Sequence, residues 1–318
     1  MRTLSPPSAQ SSGNSAPPSR RPSRRRSSTA GNGRFGYVLL SPFLLVFVIG
    51  IVGPLVYAVY LSFFRERLIG GNTFVGFENY ARALGDHLLM AGLWRVALFL
   101  AVQVPVMLAI SLLAALAIDS GRLRWAALFR IGIFIPYAVP AVVASLMWGY
   151  LYGDNFGLVG QLGRAVGVQV PHLLDQSWML ASIGNVVTWE FVGYNMLILY
   201  AALRVIPEEL YEAAAIDGAG EFRKAWSIKL PVLRPALLLA TIFSIIGTFQ
   251  LFNEPNIMQS LAPNVITTSY TPNMYAYNLA FNGQQFNYAA AVAVILGLVT
   301  AVVAYAVQSR ATSREQAR

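Results

Sequence analysis

Long runs of hydrophobic residues dominate the chain. Six runs reach the roughly 20 apolar residues that an α-helix needs to cross about 30 Å of hydrocarbon. They cover residues 36–63, 94–118, 126–152, 178–203, 232–253 and 286–308. The pattern therefore predicts an all-α polytopic membrane protein, with six transmembrane helices in one domain over residues 35–309.

Proline and glycine interrupt several of these runs. Such residues kink helices and leave backbone carbonyls in need of other partners. This favours a bundle that moves or surrounds a wet cavity, although membrane helices also tolerate both residue types without a special role. The interrupting residues are Pro54, Pro105, Pro136, Pro140, Gly193 and Gly247.

Composition supports the membrane class and excludes several kinds of chemistry. Of 318 residues, 56% are hydrophobic and only 12% are charged, about half the charged share of a soluble domain. The chain has no cysteine and two histidines, His87 and His172, which excludes thiolate and histidine-rich metal centres. Both histidines lie in segments predicted to be outside the membrane, and no Ser/His/Asp set points to a membrane enzyme.

The two ends of the chain are predicted to be polar tails. Residues 1–34 are rich in Ser, Pro and Arg, with seven arginines and no acid. A segment of this composition cannot bury a core, so we expect a disordered cytoplasmic tail and no nucleic-acid partner. An arm that binds anionic lipid or nucleic acid remains the alternative. Residues 310–318 form the second, C-terminal tail.

Lys and Arg predict the orientation in the membrane. With the N-terminus inside, eighteen of these residues fall in cytoplasmic segments and five fall outside. Cytoplasmic loops carry such an excess. Both termini of this multi-pass protein are therefore expected in the cytoplasm.

The polar segment between the fourth and fifth spans, residues 204–231, is called the coupling loop below. Pro207 suits the first turn of a helix, and Gly218 can adopt the left-handed conformation that ends one, which predicts a helix of about 11 residues. A second helix, near Glu221–Ile228, would carry Phe222 and Trp226 on one face. The arrangement favours a helix–turn–helix arm, with an amphipathic connector lying on the lipid surface as the alternative.

The coupling loop resembles a known motif. Its run EAAAIDGAGEFRKAWSIKLP, Glu212–Pro231, resembles the EAA loop of the membrane subunits of bacterial binding-protein-dependent ABC importers. The run IPEELYEAAAIDGA, Ile206–Ala219, is similar to the sugar-permease branch, which includes maltose, multiple-sugar and glycerol-3-phosphate systems.

The resemblance implies a set of partners in the bacterial cell membrane. These are a second permease subunit, usually a different chain, a dimeric cytoplasmic ABC ATPase and an extracytoplasmic sugar-binding protein. The chain has no GxxxxGK[ST] phosphate loop, so it is not expected to be an enzyme, and ATP and Mg²⁺ would bind only to the ATPase. The residues implied to contact the ATPase are Glu212, Ala213, Ala214, Asp217 and Gly218.

Two spans offer the aromatic and polar side chains that a sugar site needs. The candidates are Trp189, Glu190, Phe191 and Tyr194 on the fourth span, and Phe249, Gln250 and Asn253 at the end of the fifth. Trp189 and Tyr194 share a face only if Gly193 loosens the helix. The resemblance implies that Glu190, Phe191, Tyr194 and Gln250 occupy sugar-contacting positions.

Glu190 is the only acid in the middle of a predicted span. A carboxylate at that depth is costly, so it is expected either to accept sugar hydroxyls in a wet cavity or to pair with a neighbouring helix or subunit. A gradient-driven secondary transporter, with Glu190 carrying the proton, is the alternative function. Such transporters commonly contain internal repeats, and no clear repeat relates the two halves of this chain.

Overall fold

The computed structural model describes residues 33–67, 71–121, 123–153 and 157–316, and helices dominate these ranges. The α-helices of the first half are α1 (Gly33–Phe47), α2 (Gly53–Ser62), α3 (Glu78–Leu84), α4 (His87–Asp119), α5 (Ala126–Phe134), α6 (Ala141–Tyr152) and α7 (Leu158–Ala165). Those of the second half are α8 (Met179–Leu203), α9 (Glu208–Ile216), α10 (Glu221–Lys224), α11 (Leu230–Phe249), α12 (Asn253–Met258), α13 (Pro272–Phe281) and α14 (Phe286–Gln316). Two short strands, β1 (Phe64–Arg67) and β2 (Gly71–Phe74), pair antiparallel.

The helices confirm the all-α polytopic fold class. Five of them are long and apolar enough to cross a membrane, and a sixth span is obtained if one bent helix pair counts as a single crossing. The five cover Tyr37–Ser62, His87–Asp119, Met179–Leu203, Glu221–Met258 and Phe286–Arg310. Most of the predicted N-terminal tail lies outside the described residues, whereas α14 continues to Gln316 and makes much of the predicted C-terminal tail helical.

The third predicted span, residues 126–152, is not one straight helix. It consists of Ala126–Ala138 and Ala141–Tyr152, which are bent by 99° relative to each other. The cause is local: Pro140 disfavours helical backbone at the residue before it, and Val139 has an extended ψ of 128°. Pro136 starts the short 3₁₀ turn before the break.

The fifth span also differs from its prediction. It is joined to the preceding arm helix, whereas the third span is broken in two. The second arm helix does not end near Ile228, because α10 continues through a π-helical segment, Ala225–Lys229, directly into α11. A π-helical turn can absorb local irregularity in the hydrogen-bond ladder without breaking the helix. Pro231 and Pro235 lie in this helix and do not turn the chain.

The centre of the bundle is formed by α4 and α8, and α11 packs against both. Gly193 permits close packing here: a Cβ at this position would overlap the carbonyl oxygen of Ile133 and lie 2.7 Å from the Cα of Phe134. The helix α8 is continuous through Gly193. The loosening that would have placed Trp189 and Tyr194 on one face is therefore not found, and the glycine lets the bent span approach α8.

Three helices, α4, α13 and α14, are joined by one carboxylate. Asp86 caps α4 by accepting hydrogen bonds from the Leu88 and Leu89 amides at 2.9 and 3.4 Å. Its other oxygen accepts from the hydroxyls of Tyr275 in α13 and Tyr288 in α14, at 2.6 and 2.7 Å. This one side chain therefore fixes the relative position of three helices.

Candidate functional site: an exposed coupling loop and a central cavity

The coupling loop begins with α9, which ends in a glycine turn. Gly218 has φ of +72°, a conformation that side-chain-bearing residues disfavour. The amide of Gly218 donates to the Ala215 carbonyl at 3.0 Å, and the amide of Ala219 donates to the Ala214 carbonyl at 2.8 Å. This is the Schellman arrangement, and it orients α9 relative to α10.

One surface of the coupling loop is apolar and exposed. Ile216 is 87% exposed, Phe222 is 81% exposed and Trp226 is 67% exposed. The rings of Phe222 and Trp226 stack with centroids 6.4 Å apart. Large apolar side chains on a polar segment mark a surface that another molecule covers.

The residues predicted to contact an ATPase are close to Ile216 in the sequence. Glu212, Ala213, Asp217 and Gly218 are exposed, and Ala214 is partly buried. They lie in the second half of α9 and in the turn that follows it. Their predicted contacts are therefore compatible with their exposure, and their role remains a prediction.

The opposite side of the coupling loop is anchored in the bundle. Lys229 Nζ donates to Asp119 Oδ2 at 2.6 Å, and both side chains are less than a tenth exposed. The same ammonium lies 5.2 Å from the centre of the Tyr211 ring in α9. Burial, and next the charge of Asp119, raise the pKa of the Tyr211 hydroxyl. The anchor thus joins the coupling loop to the C-terminal end of α4.

A cavity of about 390 Å³ lies inside the bundle and is called the central cavity below. Its volume falls within the range of small-molecule sites. Its lining comes from five parts of the chain: α4, the bent third span, α8, α11 and the segment after α11. The bent span contributes residues from both sides of its break. The lining residues are Phe99, Gln103, Met107, Tyr137, Ala141, Val187, Phe191, Tyr194, Asn195, Phe243, Ser244, Gly247, Thr248, Gln250, Leu251, Phe252, Asn253 and Glu254.

Three aromatic rings form a wall of the central cavity. Tyr137 stacks on Tyr194 with centroids 4.9 Å apart, and its ring meets Phe191 edge-on at 5.8 Å. Tyr137 lies in the 3₁₀ turn before the break in the third span, so the bend brings it to α8. This aromatic wall provides flat apolar surface beside the polar groups of the cavity.

The buried polar atoms near the cavity lack donors. The amide nitrogen of Asn195 donates to the Phe191 carbonyl at 3.0 Å, while its Oδ1 is buried without a partner. Both carboxyl oxygens of Glu190 are also buried without a donor. Glu190 is 3% exposed, and its acidic neighbour is Glu254, which lines the cavity. The Asn195 oxygen is free to accept a hydrogen bond, whereas the Glu190 carboxyl group interacts with that of Glu254.

The predicted pathway residues divide into two groups. Phe191, Tyr194, Gln250 and Asn253 line the central cavity. Trp189 packs edge-on against Trp148, with ring centroids 5.8 Å apart. Phe249 packs with Val96 and Ile245 in a buried cluster. Trp189 and Phe249 thus lie in the packing around the cavity, and Glu190 lies behind Glu254.

Sequence reasoning missed several residues of both regions. Tyr137 and Glu254 were missed at the cavity, and Asp119 and Lys229 were missed at the coupling loop. Pro140 hinted at the bend that places Tyr137, and Asp119 as the last residue of a hydrophobic run indicated a partner for a nearby cation. Nothing in the local sequence paired Glu254 with Glu190, because they are far apart in the chain.

A bundle of membrane helices around a partly polar cavity, with exposed apolar side chains on a polar segment, is typical of a membrane transport subunit. Comparison with known proteins agrees. Residues 107–314 match the binding-protein-dependent transport system inner membrane component family, and the chain belongs to that family. Membership identifies a transport component of the inner membrane and not an enzyme, and it gives no support to the gradient-driven alternative.

The relatives include sugar permeases. The chain is 30% identical over 274 residues to the lactose transport system permease protein LacF of Rhizobium radiobacter, covering 85% of this chain and 91% of the relative. It is 32% identical over 298 residues to the diacetylchitobiose uptake system permease protein NgcF of Streptomyces coelicolor, covering 88% of this chain and 83% of the relative.

A solved structure shares the fold. It is a bacterial ABC transporter involved in the import of the acidic polysaccharide alginate. The TM-score is 0.77 at 17% sequence identity, with 88% of this chain and 96% of that chain covered.

Proposed function

We propose that the chain is one membrane half of an ATP-driven importer for a sugar or related carbohydrate. The observation that carries the proposal is the exposed apolar surface of the coupling loop, Ile216, Phe222 and Trp226, beside the Glu212–Gly218 segment. A surface of this kind is typical of a site that binds another protein or the membrane, and the chain lacks a phosphate loop of its own. The partner we propose is a dimeric cytoplasmic ABC ATPase that binds ATP and Mg²⁺.

The central cavity supports the carbohydrate part of the proposal. The aromatic wall offers faces on which a sugar ring can stack, and the surrounding amides, hydroxyls and carboxyl groups can bind its hydroxyls. The curated relatives act on lactose and diacetylchitobiose, as their names state. We propose that a second permease subunit completes the pathway and that an extracytoplasmic sugar-binding protein delivers the substrate.

The absence of native cysteine permits a direct test of the ATPase partner. A single Ala214→Cys substitution places a thiol on α9, and Asn72→Cys places a matched thiol on the exposed hairpin. We expect a cross-link from Ala214→Cys to an ATPase, identified by mass spectrometry, with a yield that changes when ATP is added. The Asn72→Cys variant should give no such adduct.

The outcomes separate the readings of the coupling loop. An ATPase adduct that forms with Ala214→Cys and not with Asn72→Cys supports the importer proposal. A thiol at position 214 that reagents label freely, or that lipid alone protects, with no ATPase adduct, would return the loop to a surface connector and overturn the proposal.

A further inference from the structure

The central cavity carries information about the charge of the substrate. None of its 18 lining residues is a lysine or an arginine, and Glu254 is the one charged type among them. Glu190, buried behind Glu254, adds a second carboxyl group. Within the described residues the cavity is therefore acidic and has no cation to balance an anionic ligand.

An unpartnered atom of the lining also favours a ligand that donates hydrogen bonds. Asn195 lines the cavity, and its Oδ1 is a buried acceptor without a donor. The orientation of the Asn195 amide is fixed by the hydrogen bond from its nitrogen to the Phe191 carbonyl, so its oxygen is the atom left for a ligand. Burying an acceptor without a donor is unfavourable. A ligand that donates hydrogens, as hydroxyl and ammonium groups do, would satisfy this oxygen.

An anionic sugar has the opposite properties. A carboxylate, phosphate or sulfonate group accepts hydrogen bonds and would add negative charge beside Glu254. Repulsion between like charges is much stronger in a site of low effective dielectric constant than in water. Such a ligand would find no cation in the cavity lining to balance its charge.

From this arrangement we propose that the transported carbohydrate carries no anionic group. The inference rests on the proposed function and narrows its substrate class to neutral or amino sugars, excluding sugar phosphates and uronates. The comparisons do not decide this point, because they include both a lactose permease and an importer of an acidic polysaccharide.

An untargeted uptake assay tests the proposal, since it does not require one sugar to be chosen in advance. The source strain and an in-frame deletion of this chain are grown with a mixture of enzymatically produced oligosaccharides that contains neutral, amino, uronic and phosphorylated members. Mass spectrometry then measures which species the deletion strain no longer removes from the medium. We expect every such species to be neutral or basic.

One result would contradict only the inference about substrate charge, and another would contradict the proposal that the substrate is a carbohydrate. If removal of a uronate or a sugar phosphate depends on the chain, the charge inference is wrong and the importer proposal stands. If removal of no carbohydrate depends on the chain, the carbohydrate proposal itself is wrong, and the inference falls with it.

A variant pair tests whether the carboxyl group acts on the substrate. Glu254→Gln removes the carboxyl group at nearly constant size, and we expect the maximal rate of uptake of the neutral substrate to fall roughly tenfold, because hydrogen bonds to charged groups are stronger than those to neutral ones. Glu66→Gln, in strand β1, is the control and should leave uptake unchanged. An unchanged maximal rate in a Glu254→Gln variant present at normal levels would contradict a substrate contact.

Discussion

Gly193 shows how one missing side chain determines a helix contact. Any Cβ at this position would overlap the backbone of Ile133, and a backbone atom cannot rotate away as a side chain can. We expect Gly193→Ala to lower the apparent melting temperature of the purified protein, because overpacking a close contact typically costs about 1–3 kcal/mol. Transport should fall with it.

Gly297→Ala is the matched control for Gly193. Gly297 also lies in a membrane helix, and its Cβ would meet no atom within 4 Å. Alanine is about 1 kcal/mol better than glycine in a helix, so this variant should be neutral or slightly stabilising. Equal melting temperatures for the two variants would contradict the close-contact explanation.

Gly218 matters for its backbone conformation and not for space. No atom lies within 4 Å of a Cβ built at this position, but φ is +72°, and a left-handed residue costs roughly 1–2 kcal/mol when it carries a branched side chain. Gly218→Val should reduce uptake while membrane insertion stays normal. Gly218→Asn is the control and should retain most of the uptake, since asparagine tolerates this conformation. Wild-type uptake by Gly218→Val would remove this account of the bend.

Asp86 makes the stability of the packing between α4, α13 and α14 depend on pH. Burial tends to raise the pKa of this carboxyl group, but hydrogen bonds from Tyr275, Tyr288 and the two capping amides outweigh it, so the net pKa is lowered. Burial and the hydrogen bond to Asp86 raise the pKa of Tyr275 to about 12, so the phenol keeps its proton and remains a donor. The contribution of Asp86 to stability is therefore complete above the ordinary carboxyl pKa and is lost as the pH falls through the lowered value.

Thermal unfolding across pH 6 to 3 measures this contribution. Asp86→Asn should unfold at a lower temperature than the native protein near neutral pH, because it loses a charged cap of about 1 kcal/mol. The difference should shrink as the pH falls below about 4. Two unfolding curves that stay parallel over the whole range would show that Asp86 does not cause the acid response.

At the scale of elements, the buried pair Lys229–Asp119 connects the coupling loop to α4. Removing one partner of a buried ion pair typically costs about 3–5 kcal/mol, because the other charge is left unpaired. We expect Asp119→Asn and Lys229→Gln to raise the ATP hydrolysed per sugar transported in reconstituted vesicles. The reversed pair, Asp119→Lys with Lys229→Asp, should restore part of the coupling.

Lys224 provides the matched control for this pair. It forms a looser pair with Glu221 at 3.4 Å, and the Glu221 side chain is 43% exposed, an arrangement that contributes little. Lys224→Gln should leave the ratio of hydrolysis to transport unchanged. If Lys229→Gln behaves like Lys224→Gln, the buried pair has no part in coupling.

The sequence was enough to predict which segments form membrane helices. It was not enough to predict where a helix breaks or where two helices join. Hydrophobic length was enough to predict the spans, because a membrane helix must satisfy its backbone internally. The 99° bend near Pro140 was not predicted, since a proline in a membrane helix can leave a mild kink or a full break, depending on its neighbours. The join of α10 to α11 was missed because Pro231 is more often found at the start of a helix than after a π-helical turn.

At the scale of the whole molecule, orientation in the membrane is open to direct measurement. The excess of Lys and Arg in one set of segments predicts that the coupling loop is in the cytoplasm and the β1–β2 hairpin outside. A membrane-impermeant maleimide should label Asn72→Cys in intact cells and Ala213→Cys only after permeabilisation. Labelling of Ala213→Cys in intact cells would reverse the assigned orientation.

The candidate site was only partly predictable, because it is assembled from segments distant in sequence. Tyr194 and Gln250 were found since their spans could be recognised, but the facing direction of a side chain depends on packing. Trp189 turned out to face Trp148, and Tyr137 reaches the cavity only because its span is broken. The pairing of Glu190 with Glu254 needs the three-dimensional arrangement of α8 and α12.

The unbroken helix from Glu221 to Phe249 has a mechanical consequence. Its 29 residues span roughly 43 Å at about 1.5 Å per residue, from the stacked rings of the coupling loop to the edge of the central cavity. A rigid lever of that length converts a tilt of about 5° at one end into a displacement of roughly 4 Å at the other, given the same rise per residue. A small rotation of the loop is therefore enough to move the cavity edge by about the width of a sugar hydroxyl with its hydrogen bond.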